Sequence, residues 1–508
     1  MRIFVFAIGG TGARVLTSLI MQFASGVRPK DSNGNHLAEL SVVPIIVDPH
    51  ESNDALLNVI NLLNDYRDIR KKIHGDKNDA TGFFSVKLET LNEIASQSGT
   101  GVDQFFFSMP HVSGSTFGKY ININDMELPN KLMMEMLFSE EELTTYMKEG
   151  FYGSPNIGCV ALNEFKQSKD FEAFRSAFDL SQDRIFFIGS IFGGTGAAGL
   201  PLLISSIRDL SHIDSSIGGN AGSAEAPIGA LIVMPYFAIE KVANSPIDED
   251  DFIIKTKSAL RYYADNLNRY VNTIYYIADS DRPKAFENDP GKSDQKGNKA
   301  HIVEYIGATA VCDFISTPEE KLQTREDEYG RKVAVRTRFK QFSFEKESSQ
   351  ISFPEMPSAT NALTMLPMMK FFLMKLYMEK HLLDCLDKTF AKNYEPKLDR
   401  SILIRELQSF FERYDRWVDE MRSHGSTAHN LSYFSLLDDR DYTNMFNGIE
   451  SKKKTFGRKT LKISDVEAAL NEVAQRYDKM QNQYQRWFTI ANEAMEKAIT
   501  DNLMTENY

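Results

Sequence analysis

The residues of this chain best suited to chemistry are two short glycine turns of the same composition. One is Gly9-Gly10-Thr11-Gly12 and the other Gly193-Gly194-Thr195-Gly196. Each follows an apolar run, residues 3–8 and 185–188, of the kind that forms a buried strand. Each opens a stretch with helical apolar spacing, as at Leu200, Leu203, Ile204 and Ile207. A strand, a glycine turn and a helix in that order point backbone N–H groups and a helix N-terminus at one place, where an anion can sit. Glycine is required there because a side chain would hold a phosphate away from the backbone. A single turn of this type is weak evidence, since many α/β proteins carry one for packing. Two of them can converge on one phosphorylated ligand from neighbouring strands of a parallel sheet.

The elements that must position these turns follow in chain order. A helix is expected over 13–23, then a strand over 42–47 ending at Asp48. Residues 66–150 are polar and read as helices and loops peripheral to the sheet. GSPNIGCV at 153–160 reads as a turn leading into another strand. Residues 211–226 are rich in Ser and Gly, a flexible connection. Further strands are expected over 228–234 and 273–278, with a helix over 254–267 between them, and 299–315 reads as an apolar helix. Beyond it only 333–335 and 342–344 look like strands.

Composition limits the function. The 508 residues carry a net charge of −12, which argues against a general nucleic-acid-coating role. The three cysteines, Cys159, Cys312 and Cys385, lie far apart without metal-type spacing, as in a reducing compartment. The opening apolar run is too short for a secretory signal, and residues 228–239 are interrupted by Gly229 and Pro235. The expectation is a cytoplasmic protein with no membrane span.

FGGTGAAG at 192–199 is similar to the tubulin signature GGGTGSG, with Phe192 and Ala198 in place of the first and last glycines. IGGTGARV at 8–15 resembles the first phosphate loop of the same family. The chain thus resembles the tubulin/FtsZ superfamily, and in particular its divergent bacterial tubulin-like members, over residues 1–315. The resemblance implies GTP or GDP with Mg²⁺. Gly9, Gly10, Thr11, Gly12, Gly193, Gly194, Thr195, Gly196 and Ala197 would hold phosphates. Asn156 and Gly158 would stand in the third loop, facing the γ-phosphate. DPHESNDALL from Asp48 resembles the second loop of FtsZ, so Asp48, Glu51 and Asp54 are the acids placed to approach Mg²⁺, directly or through water. Helix caps and a solvated turn explain these acids equally well.

The same resemblance carries over to ribose and base. Pro235-Tyr236 resembles the Pro-Phe that ends the equivalent FtsZ strand, and Glu240 would contact ribose, although the spacing is one residue longer. Asp279 stands where the family has a polar residue, usually Asn, that reads guanine; a carboxylate can accept from guanine N1–H and N2–H₂. His301 or Tyr305 could stack on the base, although a lone aromatic on a buried helix is more often core. FtsZ follows its central helix with Asn-x-Asp-x-x-Asp, whose acids complete the GTPase site of the adjacent subunit. No such pattern occurs here. The nearest acids, Asp313, Glu345 and Glu347, do not match in spacing, so the catalytic residue is unknown and nucleotide binding is better supported than hydrolysis.

The C-terminal third has its own pattern. Leu403, Leu407, Phe410, Tyr414, Trp417 and Met421 alternate spacings of four and three, and so does a longer series from Val466 to Ala498. That is a heptad seam. Ser464-Asp465-Val466-Glu467 fits a capping box opening the second series, which reads as one helix of roughly 50–55 Å at about 1.5 Å per residue. Two arrangements are open: an antiparallel pair packed on itself or on the body, or a protein–protein docking arm. The lysine-rich loop near 451–462 is a solvated loop or meets an acidic partner surface. The methionines between 356 and 378 read as core packing.

The fold expected is α/β: a mostly parallel sheet of the tubulin/FtsZ nucleotide-binding type, followed by a helix-rich C-terminal region. Its divisions are 1–298 for nucleotide binding, 299–316 for a connecting helix, 317–398 for a second domain with few strands, and 399–508 for heptad-patterned helices. The function expected is guanine-nucleotide binding with nucleotide-dependent self-association or docking to a protein partner, and slow or assembly-dependent GTP hydrolysis. The alternative is a non-polymerising nucleotide-sensing scaffold that recruits a partner through its C-terminal helices. A Rossmann oxidoreductase fits less well: Gly10-Thr11-Gly12-Ala13-Arg14-Val15 lacks the last glycine of Gly-x-Gly-x-x-Gly, and the second turn would go unexplained.

Overall fold

Seven parallel strands carry the chain in this computed structural model: β1 (Arg2–Ile8), β2 (Ser41–Val47), β3 (Lys87–Leu88), β4 (Asp183–Ser190), β5 (Ile228–Val233), β6 (Thr273–Ile277) and β7 (Arg338–Gln341). Their order across the sheet is β7-β6-β5-β4-β1-β2-β3. The structure describes residues 1–95 apart from 32, 38 and 50–53; 105–209 apart from 108, 110, 113, 148 and 149; 221–239 apart from 237; 249–278; 285–286; 300–341; 361–378; 400–424; and 461–502.

β1, β2, β4 and β5 are buried almost throughout and mostly apolar because both faces of the sheet are covered there, whereas the edge strand β7, Arg-Phe-Lys-Gln, is half-exposed. The helices around the sheet include α1 (Gly9–Ala24), α2 (Asp54–His74), α3 (Leu128–Leu137), α4 (Pro155–Ala161), α5 (Gly194–Arg208), α6 (Glu249–Asn266), α7 (Ile302–Ser316), α8 (Asn361–Tyr377), α9 (Arg400–His424), α10 (Ile463–Ala474) and α11 (Gln483–Asn502), with further helices, among them Lys169–Ala177, and turns between them. Alternation along β4 shows the two faces. The Phe186 ring packs on Phe314 of α7. Phe187 stacks on Phe6, which also packs on Phe107 and Phe174. α1 and α7 lie together on the first face, and α5 lies against the second, where Leu200 closes over Gly189.

α7 runs back along the sheet. Its first residues lie beside Tyr236, beyond the C-terminal end of β5. Its last carbonyls, of Phe314 and Ile315, and that of Thr317 just beyond, accept from Arg184 Nη1 at 3.0, 3.1 and 2.7 Å, at the start of β4. A guanidinium at a helix C-terminus satisfies orphan carbonyls and meets the negative end of the dipole. Burial lowers its pKa to about 10.

Several expectations change. Residues 153–160, expected as a turn leading into a strand, instead open a helix over 155–161, and a helical turn over 162–167 follows it; Pro155 suits the first helical turn, where no N–H is needed. Residues 338–341, within the region 317–398, pair with β6 and join the main sheet as β7; residues 342–344 lie outside the described residues. The second heptad series is two helices, α10 and α11, packed on each other. The break falls at residues 475–482, where Asn482 Oδ1 accepts from Gln485 N at 3.1 Å and starts α11 afresh. The cap of α10 uses Asp465, which accepts from Lys462 N at 2.8 Å, rather than Ser464 with Glu467.

Of the two C-terminal arrangements, the structure has packing on the body. Leu407, Phe410, Tyr414, Trp417 and Met421 are buried, and Phe371 of α8 meets Phe83, Phe84, Phe410 and Tyr414. Trp417 Nε1 donates to Ser18 Oγ of α1 at 3.1 Å, and Arg413 pairs with Asp65 of α2 at 2.8 Å. The described part of the first seam is therefore spent inside the chain. Met368, Met369, Met374 and Met378 are core residues as expected. No described helix is long and apolar enough to cross a membrane.

Candidate functional site

The strand order reverses between β1 and β4, and both glycine turns follow directly from the C-terminal ends of those two strands. In an open parallel sheet this crevice is where ligands bind. The turns touch each other. Gly9 has φ +68°, a conformation that favours glycine, and a Cβ on it would stand 3.2 Å from Thr195 Cβ and 3.5 Å from Gly196 N. Each turn also opens a helix whose N-cap residue, Ile8 for α1 and Gly193 for α5, offers no side-chain cap, and neither first turn carries an acid. Two helix N-termini, both with their positive dipole ends, thus lie side by side.

Within the turns the residues divide by role. Gly10 is exposed, and a Cβ there would meet no described atom within 4 Å. Thr11 and Gly193 are half-buried. Gly12 is pressed on the strand ends: its Cβ would stand 2.7 Å from Ala7 C and 2.9 Å from Ile188 O. Gly196 is pressed on Ser190 in the same way, at 2.6 Å from its carbonyl oxygen. Thr195 and Gly194 are buried. Ala197 lies inside α5. Its N–H donates to Gly193 O at 3.1 Å and its carbonyl accepts from Tyr263 OH at 2.9 Å, so its backbone is engaged within the protein.

The third loop is displaced from its expected role. Gly158 lies within α4 with its N–H donated to Ser154 O at 3.2 Å. A Cβ on it would stand 2.8 Å from both Ala198 Cβ and Gly194 O. It is a close-packing glycine that seats α4 on α5, rather than a phosphate ligand. Asn156 is exposed in the first turn of α4.

The remaining candidates scatter. Asp48 stands just past the end of β2, buried, one strand away from the first turn. Asp54 begins α2 but its side chain, like all of Glu51, Glu240, Asp279, Glu345 and Glu347, lies outside the described residues. No group of three or more potential metal ligands occurs among the described residues. Of the three acids considered for Mg²⁺, Asp48 alone has a described side chain.

His301 and Tyr305 are core residues. His301 caps α7: its Nδ1 accepts from Val303 N at 3.1 Å, and its ring lies 4.9 Å from that of Tyr236. Tyr305 packs toward Trp417 at 6.2 Å, and its carbonyl accepts from Gln22 Nε2 at 3.0 Å. Burial in the layer between α1 and α9 keeps the Tyr305 ring from a ligand. Asp313 is about two turns beyond Tyr305 along α7, toward the opposite end of the sheet. It accepts from Tyr275 OH at 2.5 Å and pairs with Lys340 Nζ at 2.6 Å, fastening α7 to β6 and β7. Its carboxylate is committed away from the turns.

One group beside the site has no counterpart in the sequence reading. Arg14, in the second turn of α1, pairs with Glu304 of α7, and Tyr236 OH donates to the same Glu304 Oε1 at 2.8 Å. Burial alone would lower the Arg14 pKa, but Glu304, Tyr236 and Glu420 hold the guanidinium above its usual range. Burial raises the Tyr236 phenol and the Glu420 carboxyl. Glu420 of α9 accepts from Ala300 N at 3.0 Å, and the Tyr236 ring also lies 6.2 Å from Phe192, which precedes the second turn. The sequence signal was a glutamate inside the apolar run HIVEYIGATAV: a lone acid on a buried helix needs a partner.

The chain matches no protein-family model, and a search of curated proteins finds no similar sequence.

Proposed function

We propose that this protein binds a guanine nucleotide at the crevice between β1 and β4, in the manner of the tubulin/FtsZ superfamily. The observation that carries this reading is the contact of the two glycine turns: Gly9 abuts Thr195, while a Cβ on Gly10 beside it would meet no described atom within 4 Å. A phosphate chain placed there would take hydrogen bonds from N–H groups of both helix N-termini, with no side chain intervening. Asp48 would hold Mg²⁺ against the phosphates, and that ion would offset phosphate charge. Ribose contact by Glu240 and guanine selection by Asp279 remain part of this reading through the family resemblance.

Binding is better supported than turnover. Asp313 is engaged with Tyr275 and Lys340. Any hydrolysis would therefore draw on another acid, as in the family, where the neighbouring subunit supplies it. The nucleotide would then govern self-association or docking to a partner. Calorimetric titration with GTP, GDP and ATP tests the reading. One site per chain with preference for guanine nucleotides is expected, and phosphate release per molecule should rise with protein concentration. Absence of binding to all three would overturn it, and fast turnover in a dilute monomer would overturn the assembly-dependent part.

A further inference from the structure

The helix α3 is amphipathic with its apolar side turned outward. Leu128, Leu132, Met133, Met136 and Leu137 are 49–87% exposed, with Met136 the most open. At 3.6 residues per turn, Leu128, Leu132 and Met136 form one ridge and Pro129, Met133 and Leu137 a second beside it. The side turned inward carries Lys131 and Met134, and Phe138 just past the helix anchors it on Phe117 at 4.7 Å between ring centroids. Scattered exposed apolar residues are ordinary; contiguous ridges mark an interaction surface.

The surroundings of the ridges are acidic. Between residues 117 and 147 the charged residues are Asp125, Glu127, Glu135, Glu140, Glu141 and Glu142 against Lys119 and Lys131 alone. Most of these acids are exposed. An acidic rim is repelled by anionic lipid surfaces, which attract basic amphipathic helices. Two copies of the chain meeting through this face would bring two acidic rims together, in a protein already at −12. We infer that the outward face of α3 docks a different protein, one that presents an apolar groove or helix rimmed by lysine and arginine. The ridges at i, i+4 and i+8 supply the apolar anchors of helix-in-groove recognition, and the methionines let the surface adapt to the shape of the partner. This surface stands independently of nucleotide binding.

The test uses the full chain and a synthetic amphipathic 14-residue helix of leucine and lysine as the probe, with the same peptide carrying glutamate for lysine as control. Binding is followed by fluorescence anisotropy, and its location by hydrogen–deuterium exchange. The lysine peptide should protect residues 128–137. Its affinity should fall at least tenfold in Leu132→Ser/Met136→Ser, and severalfold in Glu127→Gln/Glu135→Gln or at raised salt; the glutamate peptide should not bind. Both double variants alter exposed side chains, and unchanged thermal midpoints will show them folded. Protection elsewhere, or equal affinity in the folded variants, would overturn the proposal. So would protection of α3 by vesicles of anionic lipid, or a sedimentation coefficient that falls in Met136→Asp because a second copy had covered this face.

Discussion

Gly10→Asp separates ligand binding from folding, because the two effects are expected to have opposite signs. Gly10 is exposed at the start of α1, and a Cβ there meets no described atom within 4 Å. Replacing a helical glycine removes a backbone-entropy cost of about 0.5–1 kcal/mol, and an acid in a first helical turn gains about 0.3–1 kcal/mol from the dipole. The variant should therefore be as stable as the parent or slightly more so. The same carboxylate would stand where a phosphate is proposed. Two unit charges about 4 Å apart repel by up to roughly 4 kcal/mol at an effective dielectric constant near 20. At about 1.4 kcal/mol per tenfold, GTP affinity should drop by two to three orders of magnitude. Gly12→Ala is the contrasting control. Its added methyl would stand 2.7 Å from Ala7 C, on backbone that cannot yield, so that variant should lose stability first. Urea denaturation and calorimetric titration of both variants decide the matter. A folded Gly10→Asp protein that binds GTP as well as the parent would refute the phosphate assignment of the first turn.

Three other outcomes are expected. Arg14→Met should destabilise the protein by about 3–5 kcal/mol in urea denaturation, since it strands a buried Glu304, and Arg14→Met/Glu304→Gln should recover much of that loss. Asp313→Asn should lower the thermal midpoint while leaving nucleotide affinity and any phosphate release unchanged; a selective loss of turnover would return Asp313 to the catalytic candidates. His74 is buried with Nε2 2.8 Å from Phe83 O, and burial lowers its pKa to about 4. The stability this contributes is full above the unfolded value near 6.5 and is lost as pH falls toward 4, up to about 3 kcal/mol; the thermal midpoint of His74→Gln should fall less steeply over that window.

The glycine turns were legible in the sequence because their chemistry is local. Apolar strand, Gly-Gly-Thr-Gly and helical spacing lie within some twenty residues, and local apolar runs marked β2, β5 and β6. What sequence left open was set by distant contacts. Gly158 reads like a phosphate-loop glycine until Ala198 and the Gly194 carbonyl are found pressed against it. Asp313 reads like a spare acid until Lys340, on a strand that joins the sheet edge much later in the chain, closes on it. The heptad series across 475–482 kept its period, yet Asn482 restarts the helix there. Hydrophobic period specifies a face, and a cap can interrupt the helix without disturbing the face.

The node around Glu304 bears on how the proposed site would work. Arg14 is the cation nearest the first turn in sequence, yet its guanidinium is committed to Glu304 within the layer between α1 and α7. Phosphate recognition would then fall to the dipoles and N–H groups of two helices, whose strength depends on how closely the helices are aimed. Gly12, Gly196 and Gly158 fix that aim by bringing α1, α5 and α4 down onto strand ends and onto one another. Through Tyr236 the same glutamate touches the residue pair that flanks β5, and α9 closes on the start of α7 through Glu420. α9 is also joined to α1 directly, through the Trp417 indole hydrogen-bonded to Ser18 in the middle of α1. The glycines set where the N–H groups point, and the Arg14–Glu304–Tyr236 cluster ties that geometry to the C-terminal helices.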